Sequence, residues 1–145
     1  SWLDAVKQGV LDVVSGENFG SPLTDIEVTV LKAAPLWEAA QEPALLSAAR
    51  NCMENVVSNA GRCKLEPVMR VEIVVADEAL GVVLSDLSCR HGSVAQVEPL
   101  GAGLSRIVAV VPLAEMFGYA SSLRSLSAGR GEVVAEPIGY SPVKG

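Results

Sequence analysis

The chain has 145 residues, half of them apolar and only 19% charged, so it can bury a core and does not read as disordered. Its net charge of −6 is spread evenly, with 5 basic and 8 acidic residues over residues 1–65 and 6 and 9 over residues 66–145. That balance argues against a broadly basic nucleic-acid binder, and nothing in it favours DNA; any RNA contact has to come from a few placed residues.

Leu3, Val6, Val10, Val13 and Val14 recur at helical spacing near the start, with Ser1 and Asp4 as a capping pair and Gly16 and Gly20 as stops. TDIEVTVL, residues 24–31, alternates Ile26, Val28 and Val30 against Asp25, Glu27 and Thr29 and predicts a half-buried strand. A loop with Pro35 and Pro43 follows. Pro43 suits the first turn of a second helix, whose stripe is Leu45, Ala48, Ala49, Cys52, Met53, Val56 and Val57 and whose cap is Gly61. One strand between two helices cannot bury its face alone, so residues 1–64 read as a partial helix–strand–helix α/β domain.

From Leu65 the pattern changes. LEPVMRVEIVVA puts Met69, Val71, Ile73 and Val75 on one face of a strand. DEALGVVLSDLSCRHG predicts a helix with Asp77 as N-cap, Leu80, Val83, Leu84 and Leu87 inward, and Gly92 as stop. SVAQVEP and LSRIVAVVP form a hairpin across LGAG. Met116, Tyr119, Leu123 and Leu126 mark a further helix ending at Gly129, and EVVAEPIGY is the last strand. Strand, helix, strand, strand, helix, strand over residues 65–145 is the βαββαβ, ferredoxin-like plan, with both helices on one face of an antiparallel sheet. The fold class is therefore α+β.

Cys52, Cys63 and Cys89 form no CxxC, which fits a reducing compartment better than a disulfide scaffold. Cys89 and His91 alone do not make a zinc site or an oriented nucleophile–base set, so no metal and no catalytic residue is expected. No apolar run reaches the roughly 18 residues of a membrane span. The start SWLDAVKQGV has no cleavage pattern and no Met, and reads as a processed product or part of a longer protein.

Three stretches carry a resemblance. LEPVMRVEI, LSDLSCRHG and VPLAEMFGYASSLRSLSAGRG resemble signatures of the C-terminal domain of elongation factor G, the translational GTPase of the ribosome. VKQGVLDVV and GSPLTDIEVTVL resemble the domain before it. The resemblance implies the latter part of the family's fourth domain over residues 1–64 and its fifth domain over residues 65–145. It also implies the ribosome as partner, through large-subunit RNA near the sarcin–ricin loop and the stalk base, with no membrane. Arg124 and Ser125 match the motif's RNA contacts, and Arg130 lies between Gly129 and Gly131. Arg90 and His91 match the region near the stalk base. A cation at a helix C-terminus is equally a stabilising feature in its own right.

No GxxxxGK[ST] phosphate loop occurs, so this chain is not expected to hydrolyse GTP or hold a cofactor; GTP and magnesium would belong to a GTPase domain. Two positions depart from the family. Ala128 stands where Gln is common. Leu36, Ala39, Ala40 and Gln41 stand at the polar residues of the fourth-domain loop. Recycling rather than translocation, as in the second mitochondrial form, is the role that departure implies, with the mitochondrial matrix as the expected compartment and a bacterial or other organellar one as the alternative. The contrasting reading is a stand-alone ferredoxin-like protein-interaction module without GTPase activity.

Overall fold

A computed structural model describes residues 1–33 and 41–143. The chain divides into two compact units, Ser1–Arg62 and Cys63–Gly145.

In the first unit, α1 (Trp2–Val14) and α2 (Glu42–Ala60) pack through Val13, Met53 and Val57, with Val10, Val14, Phe19 and Leu23 around them. The helices approach closely at Gly9, where a Cβ would meet the Leu46 carbonyl oxygen at 2.5 Å and the Ala49 Cβ at 2.8 Å. The Asp4 carboxylate accepts the Ser1 nitrogen at 3.1 Å, one half of the expected capping box, Pro43 lies in the first turn of α2, and Gly61 ends that helix with φ +80°. The α2 stripe is narrower than its pattern: Met53 and Val57 are buried, whereas Ala48, Cys52 and Val56 are exposed.

The strand expected over residues 24–31 is not there. Among the described residues this segment joins no ladder, and Ile26, Val28 and Val30 are 47%, 42% and 45% exposed. Alternation fixes which side chains would share a face; it does not supply a neighbouring strand, and without one the backbone groups have nothing to pair with. Asp25, at φ +55°, also interrupts the extended backbone. The departed family positions Leu36, Ala39 and Ala40, with Trp37, lie outside the described residues; Gln41 is the N-cap of α2.

The second unit is β1 (Leu65–Ala76), α3 (Leu80–Cys89), β2 (Ser93–Gly101), β3 (Leu104–Pro112), α4 (Tyr119–Leu126) and β4 (Glu132–Pro142). The sheet order is β2-β3-β1-β4, and every neighbouring pair is antiparallel. This is the expected ferredoxin-like arrangement. Val71, Ile73 and Val75 of β1 face the same core as Ile107, Ala109 and Val111 of β3, and that core also receives Val83 and Leu87 of α3 and Tyr119 and Leu123 of α4. Both helices therefore cover one face. On the other face Arg106 pairs with Glu98, and Arg70 lies 3.2 Å from Glu72 and 3.6 Å from Glu136. The β2–β3 hairpin closes through Ala102 and Gly103, both at positive φ, while Gly101 pairs with Leu104. That two-residue, twice left-handed turn matches the twist of the strands.

Two helix starts differ from expectation. Asp77 does not cap α3. It opens a 3₁₀ turn, Asp77–Ala79, and its carboxylate accepts the Ser105 hydroxyl at 2.6 Å while its amide donates to Gly103 at 2.9 Å. Strand β3 thus claims the carboxylate that the helix amides would otherwise use. Met116 packs on the core but precedes α4, because Leu113–Glu115 forms a 3₁₀ turn and Gly118, at φ +72°, separates it from the helix.

Candidate functional site

Helix α4 buries Tyr119 and Leu123 and turns Arg124 and Ser125 outward, as a helical step of one residue past Leu123 dictates. The helix ends without glycine at the position that usually needs it. Ser127 is the C-cap, and Ala128 takes the left-handed conformation at φ +53°. Gly129 follows at φ +81°, and its amide reaches back to the Arg124 carbonyl at 2.7 Å. That six-to-one bond closes a Schellman cap. The Arg130 amide then donates to the Ser127 carbonyl at 3.2 Å.

Ser127 is the organising residue of this end, and the sequence pattern missed it. Its buried hydroxyl donates to the Leu123 carbonyl at 2.6 Å and accepts the Gly131 amide at 2.8 Å. A Cβ on Gly131 would meet that hydroxyl oxygen at 2.6 Å and the Leu123 Cγ at 2.8 Å. Gly131 is therefore required from inside, by packing on Ser127, whereas Gly129 is required by its backbone angle. The available signal was a serine closing a helix with its hydroxyl free to bond four residues back.

Arg124, Ser125 and Arg130 are thus gathered on one fixed turn, and all three are exposed. Among the described residues neither arginine has an ion pair. The other arginines are engaged: Arg50 lies 2.8 Å from Glu17, Arg70 and Arg106 pair on the open sheet face, Arg90 lies 2.9 Å from Asp86, and Arg62 stacks on Phe19 at 4.2 Å. Arg124 sits in the last turn of α4, where a cation also offsets the helix dipole by typically ~0.3–1 kcal/mol.

Arg90 and His91 stand apart from this group, at the end of α3. Arg90 is turned inward: Nε donates to Asp86, one terminal nitrogen to the Glu115 carbonyl at 2.7 Å, the other to Ser122 at 3.0 Å, and the guanidinium lies 4.9 Å from the Tyr119 ring centre. It fastens α3 to the turn before α4 and to α4 itself. His91 takes the left-handed position of a second Schellman cap, at φ +58°, with Gly92 bonding back to Leu87 at 2.8 Å. Its Nδ1 lies 3.5 Å from Glu115. Among the described residues no group of three or more His, Cys, Asp or Glu is placed to hold a metal, and the three cysteines are exposed and unbridged.

The Tyr119 hydroxyl is buried with no hydrogen-bond partner. Burial, reinforced by the nearby Asp86 carboxylate and opposed by Arg90, pushes this phenol up to about 12. Beside α4 a groove of about 370 Å³ runs along β4, lined by Ala120, Leu123, Arg124 and residues 131–134.

Residues 63–145 match the family model described as elongation factor G C-terminus. The chain is 36% identical over 141 residues to elongation factor G 2 of Streptomyces coelicolor, spanning 97% of this chain and 20% of that protein. It is 37% identical over 143 residues to elongation factor G 2 of Desulfotalea psychrophila, spanning 98% of this chain and again 20% of the relative. A crystal structure of a Thermus thermophilus protein superposes with a TM-score of 0.76 at 28% identity, over 98% of this chain and 22% of that one. The chain thus spans about a fifth of the length of the relatives it matches.

Proposed function

The chain belongs to the elongation factor G family, whose C-terminal region it matches over residues 63–145, and on that premise we propose that the C-terminal end of α4 meets large-subunit ribosomal RNA, at or near the sarcin–ricin loop. Its part in translation is contact, not chemistry. GTP hydrolysis would belong to the portion of the relatives that this chain does not span.

What supports the reading is the pair Arg124 and Arg130. In a chain of net charge −6, most arginines are neutralised at home, and these two stay exposed without an ion pair among the described residues. Holding an arginine out on a turn fixed by four internal hydrogen bonds keeps its planar fork available for phosphate oxygens at little ordering cost. Ser125 adds an exposed hydroxyl in the last turn of the same helix. Arg90 serves as a positioning residue, since its donors are committed within the unit; His91 lies next to it, toward the side the family directs at the stalk base.

Chemical footprinting of large-subunit RNA tests the site. The chain is expected to protect nucleotides of the sarcin–ricin loop, and an Arg124→Ala, Arg130→Ala double variant to lose that protection. Undiminished protection by the double variant would remove the arginines from the interface.

A second reading concerns the task. Leu36, Ala39 and Ala40 cannot supply the hydrogen bonds of the polar residues they replace, which favours recycling over translocation. A subunit-splitting assay with the natural full-length protein, set against a translocation assay, separates the two.

A further inference from the structure

The open face of the sheet has a chemistry opposite to that of the α4 end. Both helices of the second unit lie on the other face, so within the unit this one is bare. The ladder register places five glutamates on it, Glu66, Glu72, Glu98, Glu132 and Glu136, against two arginines. Arg106 is spent on Glu98, and Arg70 is shared between Glu72 and Glu136. The surplus of carboxylates lies on the β1–β4 half, around Val134. That valine is 68% exposed, pairs with Glu72 across the ladder and has Glu132 and Glu136 two residues to either side on the same face. Among the described residues Glu132 has no ion pair, and it is exposed. An exposed aliphatic side chain ringed by three carboxylates fits a long side chain that is apolar along its stem and cationic at its tip. Arg70 already displays the charged half of that fit, with one guanidinium nitrogen 3.2 Å from Glu72 and another 3.6 Å from Glu136.

We propose that the β1–β4 half of the open face docks a lysine- or arginine-rich segment of a separate protein partner, with alkyl stems over Val134 and Val74 and charged ends at Glu72, Glu132 and Glu136. The proposal goes beyond the RNA contact at α4 and uses none of its residues. Charge complementarity selects the occupant. RNA is disfavoured twice over: the carboxylates repel phosphate, and a four-stranded sheet that reads RNA stacks bases on aromatic rings, of which the ladders place none on this face. A second copy of the chain brings the same acidic face and a net charge of −6. A strand added to the β4 edge is hindered, because Pro137 and Pro142 lack an N–H and the register shifts opposite Val68 and Met69. An exposed, charged contact of this kind speeds encounter and sets orientation more than it adds affinity, and it weakens with salt.

The test titrates the chain with a labelled lysine-rich peptide, followed by fluorescence anisotropy and by backbone amide shifts, with an RNA hairpin as the second probe. The peptide is expected to bind, to shift amides of β1 and β4 around Val74 and Val134, and to weaken as salt rises. Glu132→Lys reverses an exposed carboxylate and should weaken binding about fivefold, the order of one exposed pair lost and replaced by repulsion. Val134→Ser should weaken it by a smaller factor. Glu78→Lys makes the same charge change on the turn before α3 and should leave binding as it was, as should the Arg124→Ala, Arg130→Ala double variant. Circular dichroism checks that all fold. Equal weakening by Glu78→Lys and Glu132→Lys would reduce the effect to net charge and overturn the site. So would absence of peptide binding, shifts confined to other surfaces, or an RNA hairpin that moves the same amides. Shifts there that grow with chain concentration alone would give the face to a second copy instead. Loss of peptide binding in the natural full-length protein would give it to another part of that protein, and either result overturns the separate partner while leaving the α4 contact standing.

Discussion

The Ser127 hydroxyl accepts the Gly131 amide at 2.8 Å while donating to Leu123 at 2.6 Å, and this single oxygen ties the end of α4 to the start of β4. Ser127→Ala leaves the Gly131 amide without its partner in a half-buried place, which is expected to cost on the order of 1–3 kcal/mol. Gly131→Ala drives a methyl into the same oxygen and should cost about as much by overpacking. Urea unfolding followed by circular dichroism measures both. A midpoint unchanged in either variant would show that the turn does not depend on this contact.

Ala128 is the converse case. At φ +53° it occupies a backbone region that costs a non-glycine residue roughly 1–2 kcal/mol, and it is exposed. Ala128→Gly removes that strain but loosens the unfolded chain, so a net stabilisation of about 0.5–1 kcal/mol is expected. Thermal unfolding should show a higher midpoint; a lower one would mean that the methyl makes a contact that outweighs the strain.

Arg90 reaches acceptors from Asp86, Glu115 and Ser122 and stacks on Tyr119, with its side chain 20% exposed. Arg90→Ala is expected to destabilise the second unit by on the order of 2–3 kcal/mol. Arg90→Lys should recover less than half of that, because one ammonium cannot span the acceptors that a planar fork joins. If the lysine variant matched the parent in urea, simple charge at the helix end would explain Arg90 instead.

Tyr119 gives a pH signature. Its folded value of about 12 lies above the ordinary 10.0, so the folded state holds the phenolic proton more tightly than the unfolded state does. Below pH 10 both states are protonated and the group contributes no slope; from pH 10 to about 12 the unfolded chain ionises first and stability falls. Tyr119→Phe should flatten this part of the stability profile relative to the parent. Near neutral pH the same change should be neutral or stabilising, since the buried hydroxyl has no partner to lose. An identical alkaline profile in parent and variant would contradict the assignment.

The second unit was legible in the sequence because its strands alternate, its turns hold glycine and its core positions repeat at helical spacing. Val71, Ile73 and Val75 are each fully buried, as the pattern required. The same kind of alternation over Ile26, Val28 and Val30 misled, because a pattern shows a face and not a neighbour. Asp77 misled differently: an acidic residue before a helix reads as a cap until a serine 28 residues away claims it. At the candidate site, the outward direction of Arg124 followed from its place after Leu123. The inward commitment of Arg90 did not, because two of its acceptors lie 25 and 32 residues further along the chain. The role of Ser127 was hidden by ordinariness, one small polar residue among several.

Ribosome co-sedimentation at low and moderate salt tests the central claim most directly, comparing the chain with its Arg124→Ala, Arg130→Ala double variant. Phosphate contact predicts binding by the parent that weakens with salt, and a shallower salt slope in the variant by about 1 per arginine removed, along with weaker binding overall. Equal binding by parent and variant, with the same salt dependence, would contradict it and move the ribosome-facing surface away from the end of α4.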